Sequence, residues 1–484
     1  MAIQSKTVIS SMLWNILERF STQIVSFVIS IILARILSPN EYGIIAIIII
    51  FINFANVIIE GGLNTALIQK KNADQTDFST IFWFCLLLSA VMYVILYVTA
   101  PLIARFYDND ILIPVLRILS LVLFANSINS IQRAYVSRHM LFKKLFWVNA
   151  VAVVISGMLG IVMADKGYGV WALVGQSLTL PLVCCVLMWI VVKWRPSFAF
   201  SMQRFKSLFD YGWKIFMTNF IVAVYGDIRG LLIGKFYQPS ALAFFDRGKS
   251  LPTLLMNNIT SSINTVLLPA FAEEQDDKAR VKQMMRRSVQ VSYFFVLPLL
   301  VGLLCAAKNL ILVLLTEKWL PAVPFVQIFC IVFILMPIQN VNMTAIKSLG
   351  YSSITLKLEI YKKIIEAVIL IVSFMINVYA VAWGIVLYNF VSIFINLSPS
   401  QKLVDYSWKE QIKDVLPTLI ATLIMGATVY VCSFLPFNPF FVLMIQVCAG
   451  VVAYYAACRL FRLEGLDYLS MYLKQGLHHV KSNH

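Results

Sequence analysis

The sequence predicts an all-α polytopic membrane protein of about fourteen transmembrane helices. Three observations carry that prediction. The 484-residue chain is 60% hydrophobic and only 13% charged, with a mean hydropathy of +0.83, more apolar surface than a water-soluble fold of this length hides. Apolar runs of roughly 18–25 residues, enough to cross about 30 Å of hydrocarbon, recur from end to end. None alternates with the period of two that a membrane barrel strand requires.

The first span, 14–36, opens on Trp14-Asn15-Ile16-Leu17-Glu18-Arg19, which puts a carboxylate and a guanidinium in its first turns. It is expected to stay in the mature chain, because the first ten residues hold one Lys and no apolar core followed by a cleavage site. Spans 42–60, 79–103, 112–131, 146–164 and 169–192 follow, separated by short loops. A second set runs 209–234, 250–271, 290–314, 323–343, 356–376 and 381–398, and two last spans cover 415–435 and 439–460. No loop is long enough to be a separate soluble domain. The eight cysteines fall almost wholly within apolar runs and form no CxxC pair, so packed thiols are expected rather than a disulfide framework or a metal site.

The formal charge of +16 could point to nucleic acid, but position explains it otherwise. With the N-terminus placed inside, 27 of the 39 Lys and Arg fall in inside loops and tails or toward the inner ends of spans, seven in outside loops or at outer span ends, and the other five elsewhere within spans. That is the bias of a multi-pass protein with both termini cytoplasmic, and nucleic acid is not needed.

A repeat underlies the spans. Ala34-Arg35-Ile36-Leu37-Ser38-Pro39 corresponds to Gly234-Lys235-Phe236-Tyr237-Gln238-Pro239, a shift of 200. The same shift takes Asn64-Thr65-Ala66-Leu67-Ile68 to Asn264-Thr265-Val266-Leu267-Leu268. Six spans per repeat is an even number, so the halves are expected as parallel pseudo-repeats. The expected organisation is an N-lobe over residues 1–200, a C-lobe over 201–405, and two extra C-terminal helices with a cytoplasmic tail over 406–484.

The run Glu18-Arg19-Phe20, with Leu33-Ala34-Arg35-Ile36-Leu37-Ser38-Pro39-Asn40-Glu41-Tyr42-Gly43, closely resembles the opening of bacterial polysaccharide transporters. These are the Wzx-like lipid-linked oligosaccharide flippases of the multidrug/oligosaccharidyl-lipid/polysaccharide superfamily. Supporting stretches are Gly62-Leu63-Asn64-Thr65-Ala66-Leu67-Ile68-Gln69-Lys70-Lys71, Ala100-Pro101-Leu102-Ile103-Ala104-Arg105-Phe106-Tyr107 and Gly169-Val170-Trp171-Ala172-Leu173-Val174. The resemblance implies two six-helix lobes in a V shape plus two helices. It implies passage of an undecaprenyl-pyrophosphate-linked oligosaccharide to the outer leaflet of a bacterial inner membrane, for O-antigen, capsule or exopolysaccharide export. Its implied partners are that lipid-linked sugar, membrane lipid, and a polysaccharide polymerase with chain-length proteins. No cofactor is expected; relatives in the superfamily couple to Na⁺ or H⁺.

Such cargo requires no bond breaking, so no catalytic residue is expected. It requires a polar path with cations to offset the pyrophosphate. The cationic candidates are Arg19, Arg117, Lys214 and Arg229. Polar lining is expected from Asn15, Thr22 and Ser26 in the first span, Asn53, Asn56 and Asn64 around the second, and Tyr225 and Asn257 in the second set. The candidate ion-coupling carboxylates are Glu18, Glu60, Asp227 and Glu366. A multidrug antiporter of the same fold is the first rival, and the basic balance within spans disfavours it. A polytopic glycosyltransferase or polymerase is the second; its only motif is the DxD spacing of Asp108-Asn109-Asp110. No GxxxxGK[ST] loop occurs, which excludes a one-chain ATP-driven pump.

Overall fold

Capping residues, glycines and prolines set where the helices start and stop. The computed structural model describes residues 2–274, 277–463 and 465–466, and among them all regular structure is helical. The order is α1 (Ala2–Ile36), α2 (Pro39–Glu60), α3 (Leu63–Gln69), α4 (Gln75–Tyr107), α5 (Leu112–Leu119), α6 (Val122–Arg138), α7 (Phe142–Asp165), α8 (Val170–Val191) and α9 (Met202–Phe236). There follow α10 (Pro239–Glu273), α11 (Lys278–Leu315), a 3₁₀ turn (Glu317–Ala322), α12 (Val323–Ile334), α13 (Met336–Ser348), α14 (Ser352–Phe374), α15 (Val378–Val404), α16 (Trp408–Cys432) and α17 (Pro439–Leu460). Among the described residues twelve helical stretches are long and apolar enough to cross a membrane. The long helices α10 and α14, the expected eighth and eleventh spans, lie outside that set. Asn257, Asn258, Thr260, Ser261, Ser262 and Asn264 lower the hydropathy of α10, and Lys357, Glu359, Lys362, Lys363 and Glu366 crowd the first half of α14.

Both X-Pro turns of the repeat fall between helices: α1 stops at Ile36 before Pro39, and α9 at Phe236 before Pro239. Proline at N1 donates no N–H, and none is needed there. Ser38 caps α2 through a reciprocal box, its backbone N–H donating to Glu41 Oε2 at 2.6 Å. Asp74 and Asp77 form the same box at the start of α4.

Three crossings are broken. The second divides at Gly61 and Gly62, both left-handed, with φ of +50° and +72°. The fourth breaks at Ser120–Leu121 and the tenth at Leu335, just before Pro337. Beyond each of the latter breaks a side-chain amide braces a neighbouring helix. Asn129 Nδ2 donates to the Pro181 carbonyl at 2.8 Å, and Gln339 Nε2 donates to the Asn389 carbonyl at 3.2 Å. The donors are 210 residues apart and the acceptors 208, so the two halves repeat an internal contact as well as a sequence pattern.

The chain divides into two compact units, Met1–Ala243 and Phe244–His484. In the first, the α7–α8 hairpin packs on α1, with Gly157 facing Ile29 and Gly160 facing Leu33. Small residues permit that approach where no water drives it. Helix α9 packs on α2, α3 and α4. A polar strap reinforces the last contact: Asp77, fully buried, binds Lys70 Nζ at 2.7 Å and Arg204 at 3.4 Å. In the second unit, the α16–α17 hairpin packs on α11, where Phe294 meets Ala421, Ala457 and Cys458. Two ion pairs fix it, Lys282–Glu410 at 2.9 Å and Arg286–Asp414 at 2.7 Å, and Tyr406 donates its hydroxyl to Asp414 at 2.8 Å.

Asp74 lies in the loop before α4. The backbone N–H of Asp77 and then the Arg204 guanidinium hold its carboxyl below the usual carboxylate range. A depressed carboxyl contributes stability above its unfolded pKa, about 3.9, and loses it as pH falls through the lower folded value. Thermal unfolding of the detergent-solubilised chain, followed from about pH 6 to about pH 3, should therefore show a wild-type loss that Asp74→Asn lacks. Parallel curves for the two proteins would show that Asp74 carries none of this dependence.

Candidate functional site

The polar groups of the first unit converge near one end of its helices. Glu18 on α1 is half-buried and accepts a hydrogen bond from Asn149 Nδ2 on α7 at 2.6 Å. The Asn149 carbonyl oxygen accepts in turn from the Cys184 thiol on α8 at 3.4 Å. Beside that thiol lies the Arg133 guanidinium of α6, which also acts electrostatically on Glu60, the last residue of α2. Five helices thus contribute one polar chain, Glu18, Asn149, Cys184, Arg133 and Glu60. Asn126 extends it along α6, donating Nδ2 to Asn56 Oδ1 on α2 at 3.3 Å.

Helix ends give the depth of this chain. Arg133 lies five residues before the end of α6 and Asn149 seven after the start of α7, roughly 7–10 Å from the ends at 1.5 Å per residue. Cations so placed cost less than at the centre, where an Arg costs about 2.5–3.5 kcal/mol on insertion scales. Ile131, Gln132 and Ala134 are buried, whereas Arg133 is exposed. Spare hydrogen-bonding capacity lies on the same helix: neither side-chain atom of the buried Gln132 has a partner, nor has Asn129 Oδ1. An unmade hydrogen bond in a dry interior costs about 1–3 kcal/mol.

The other expected residues are placed as follows. Arg19 is exposed and makes no ion pair among the described residues; the group on Glu18 is Asn149, not Arg19. Thr22 Oγ1 and Asn64 Oδ1 are shielded and lack partners, Ser26 is half-buried, and Asn53 is exposed. Arg117 is held on Tyr97, its guanidinium 4.1 Å from the ring centre and Nε donating to the Tyr97 carbonyl at 3.3 Å. Lys214 and Tyr225 are exposed on α9, with Asp227 and Arg229 half-buried on the same helix. Glu366 is buried in the second unit, 2.8 Å from Lys363. The side chains of Asn15 and Asn257 lie outside the described residues. The structure therefore joins Glu18, Asn56 and Glu60 in one cluster, while Arg117 and Glu366 have local partners elsewhere.

Sequence reasoning missed Arg133, Asn126, Asn149 and Cys184. Ending the fourth span at residue 131 sends Arg133 to a loop, yet α6 continues to Arg138. A signal was present: Asn126, Asn129 and Arg133 recur at steps of three and four and share one face.

Comparison with known proteins gives consistent findings. A family model described as "Polysaccharide biosynthesis protein" matches residues 32–324. The chain is 25% identical to the teichuronic acid biosynthesis protein TuaB of Bacillus subtilis over 72% of each chain. It is 25% identical to the succinoglycan biosynthesis transport protein ExoT of Rhizobium meliloti, over 66% of this chain and 65% of that one. It is 21% identical to the lipopolysaccharide biosynthesis protein WzxC of Escherichia coli, over 75% and 74%. Among solved structures, the lipid II flippase MurJ in an inward closed conformation shares the fold, with a TM-score of 0.73 at 16% identity over 93% of this chain and 98% of that one. An inward-facing MATE multidrug transporter does so with a TM-score of 0.61 at 13% identity over 79% and 94%.

Proposed function

Because the chain belongs to the polysaccharide biosynthesis protein family, a transporter family of the multidrug/oligosaccharidyl-lipid/polysaccharide superfamily, we propose that its cargo is an undecaprenyl-pyrophosphate-linked oligosaccharide. It carries that unit from the cytoplasmic to the outer leaflet of the bacterial inner membrane by alternating access, with both termini cytoplasmic. The observation that supports this reading most is the polar chain from Glu18 to Glu60, with an exposed guanidinium, inside helices that are otherwise apolar. A sugar diphosphate crossing lipid needs hydrogen-bonding groups to replace water and a cation to offset its charge. The amide pair Asn56–Asn126 suits sugar hydroxyls. Coupling to H⁺ or Na⁺ uses Glu18 or Glu60, which belong to this chain, ahead of Glu366, which Lys363 already neutralises.

Reconstitution in vesicles with a labelled undecaprenyl-pyrophosphate oligosaccharide tests the reading. Leaflet exchange should exceed that of protein-free vesicles and rise under an imposed ion gradient. Exchange no faster than in empty vesicles would sink the proposal, and sugar transfer without exchange would make the chain an enzyme.

A further inference from the structure

We propose that Arg133 is the residue that receives the diphosphate bridge of the cargo, with Asn149 and Cys184 positioning it and Glu60 as its counter-charge in the empty state. This rests on the transport reading above and sharpens it to one side chain and one chemical group. Most guanidiniums described in the first unit already have their acceptors. Arg138 donates to the carbonyls of Leu67, Lys70 and Lys71, closing the end of α3. Arg195 donates to the carbonyls of Val192 and Trp194, Arg204 binds Asp74 and Asp77, and Arg117 lies on Tyr97. Arg133 is exposed within a crossing helix, and no carboxylate among the described residues forms an ion pair with it. Beyond its contact with the Cys184 thiol, its planar fork of donors is therefore open, and that fork matches the paired oxygens of a diphosphate.

Support from neighbours separates Arg133 from Arg19. The brace from Asn129 to the Pro181 carbonyl fixes α6 against α8 one turn away. The Cys184 thiol beside the guanidinium is itself held by Asn149, and Asn149 by Glu18. A group positioned in this way loses less side-chain entropy when it meets an anion. Arg19 has no such support among the described contacts. Arg133 acts electrostatically on Glu60 and no ion pair joins them, so the cation is offset in the empty site yet remains open to a competing anion. Charge alone does not distinguish a diphosphate from a sugar carboxylate. The position does: Arg133 lies toward the helix ends, and the amide pair Asn56–Asn126 lies deeper along α6. An anion held near the membrane surface, with neutral hydroxyl-binding groups further in, fits a cargo anchored by its diphosphate.

The test uses the full chain in detergent, titrated with farnesyl diphosphate. Arg133→Gln should weaken binding about ten- to a hundredfold, the usual loss for one charge-assisted bidentate contact. Arg133→Lys should recover part of it, and Arg19→Gln should stay within about threefold of wild type. Wild-type binding by Arg133→Gln, or an equal loss in Arg19→Gln, overturns the assignment. A second measurement needs no variant: phenylglyoxal labelling of the wild-type chain, read by mass spectrometry. Farnesyl diphosphate should shield Arg133, while farnesol and glucuronate should not. Shielding by glucuronate would move the contact to an acidic sugar and overturn the diphosphate assignment, as would no shielding by any probe. Wild-type leaflet exchange by Arg133→Gln would overturn this inference alone, leaving the transport reading intact. Failure of exchange by the wild-type chain would remove both.

Discussion

Alanine at Gly62 is expected to destabilise the first unit by roughly 2–5 kcal/mol, the sum of left-handed strain and a backbone clash. Gly62 has φ +72°, and a Cβ there would overlap the Gly212 carbonyl oxygen of α9 and lie 2.9 Å from the Ile215 Cβ. The obstacle is backbone, so no rotamer change relieves it. Gly167 is the control: its φ is +79°, but a Cβ would meet nothing within 4 Å. Gly167→Ala should therefore cost only the strain, about 1–2 kcal/mol. Thermal unfolding of both variants, judged by size-exclusion of the heated protein, reads the difference. Equal losses would mean that α9 does not seat against the break in the second crossing.

The second large effect belongs to Asp77. Its side chain is fully buried, binds Lys70 and Arg204, and accepts from the Asp74 backbone N–H at 3.1 Å. Asp77→Ala leaves Lys70 and Arg204 partly exposed and able to hydrate, but it removes a buried acceptor and opens the capping box, a loss of roughly 2–3 kcal/mol from the hydrogen bonds given up. Lys70→Met should cost less, because Asp77 keeps Arg204 and the backbone donor. Combining the two changes should give clear non-additivity. An Asp77→Ala protein within about 1 kcal/mol of wild type would show that α4 and α9 do not depend on this strap.

Length, hydropathy and proline position are local properties, and the features that depend on them were legible. The helix ends around Pro39 and Pro239 follow from missing N–H groups and were readable from six residues each. The break at Gly61–Gly62 has a glycine signature, and that at Leu335 has Pro337 nearby. The break at Ser120–Leu121 has neither, and nothing in the local sequence announces it. The candidate site was less legible because its contacts are long-range. Glu18 and Arg19 are neighbours in sequence, yet adjacent residues on a helix point about 100° apart. The partner of Glu18, Asn149, is 131 residues away. Arg133 was lost by a boundary drawn at residue 131, seven short of the end of α6. Sequence order also says nothing about which helices pack together: α9 begins the second set of spans, yet it packs on α2, α3 and α4.

The packing of α9 has a consequence for synthesis. Helices enter the membrane in the order they are made, N-terminal first. When the sixth crossing has been inserted, the face of Gly62 still lacks Gly212, and Asp77 still lacks Arg204. The first unit cannot close as a finished body until some forty further residues have left the ribosome. During that interval a lysine–aspartate pair and a glycine hinge face lipid or a chaperone. A ribosome stalled just before α9 should therefore hold a nascent chain far more open to protease than one stalled just after it.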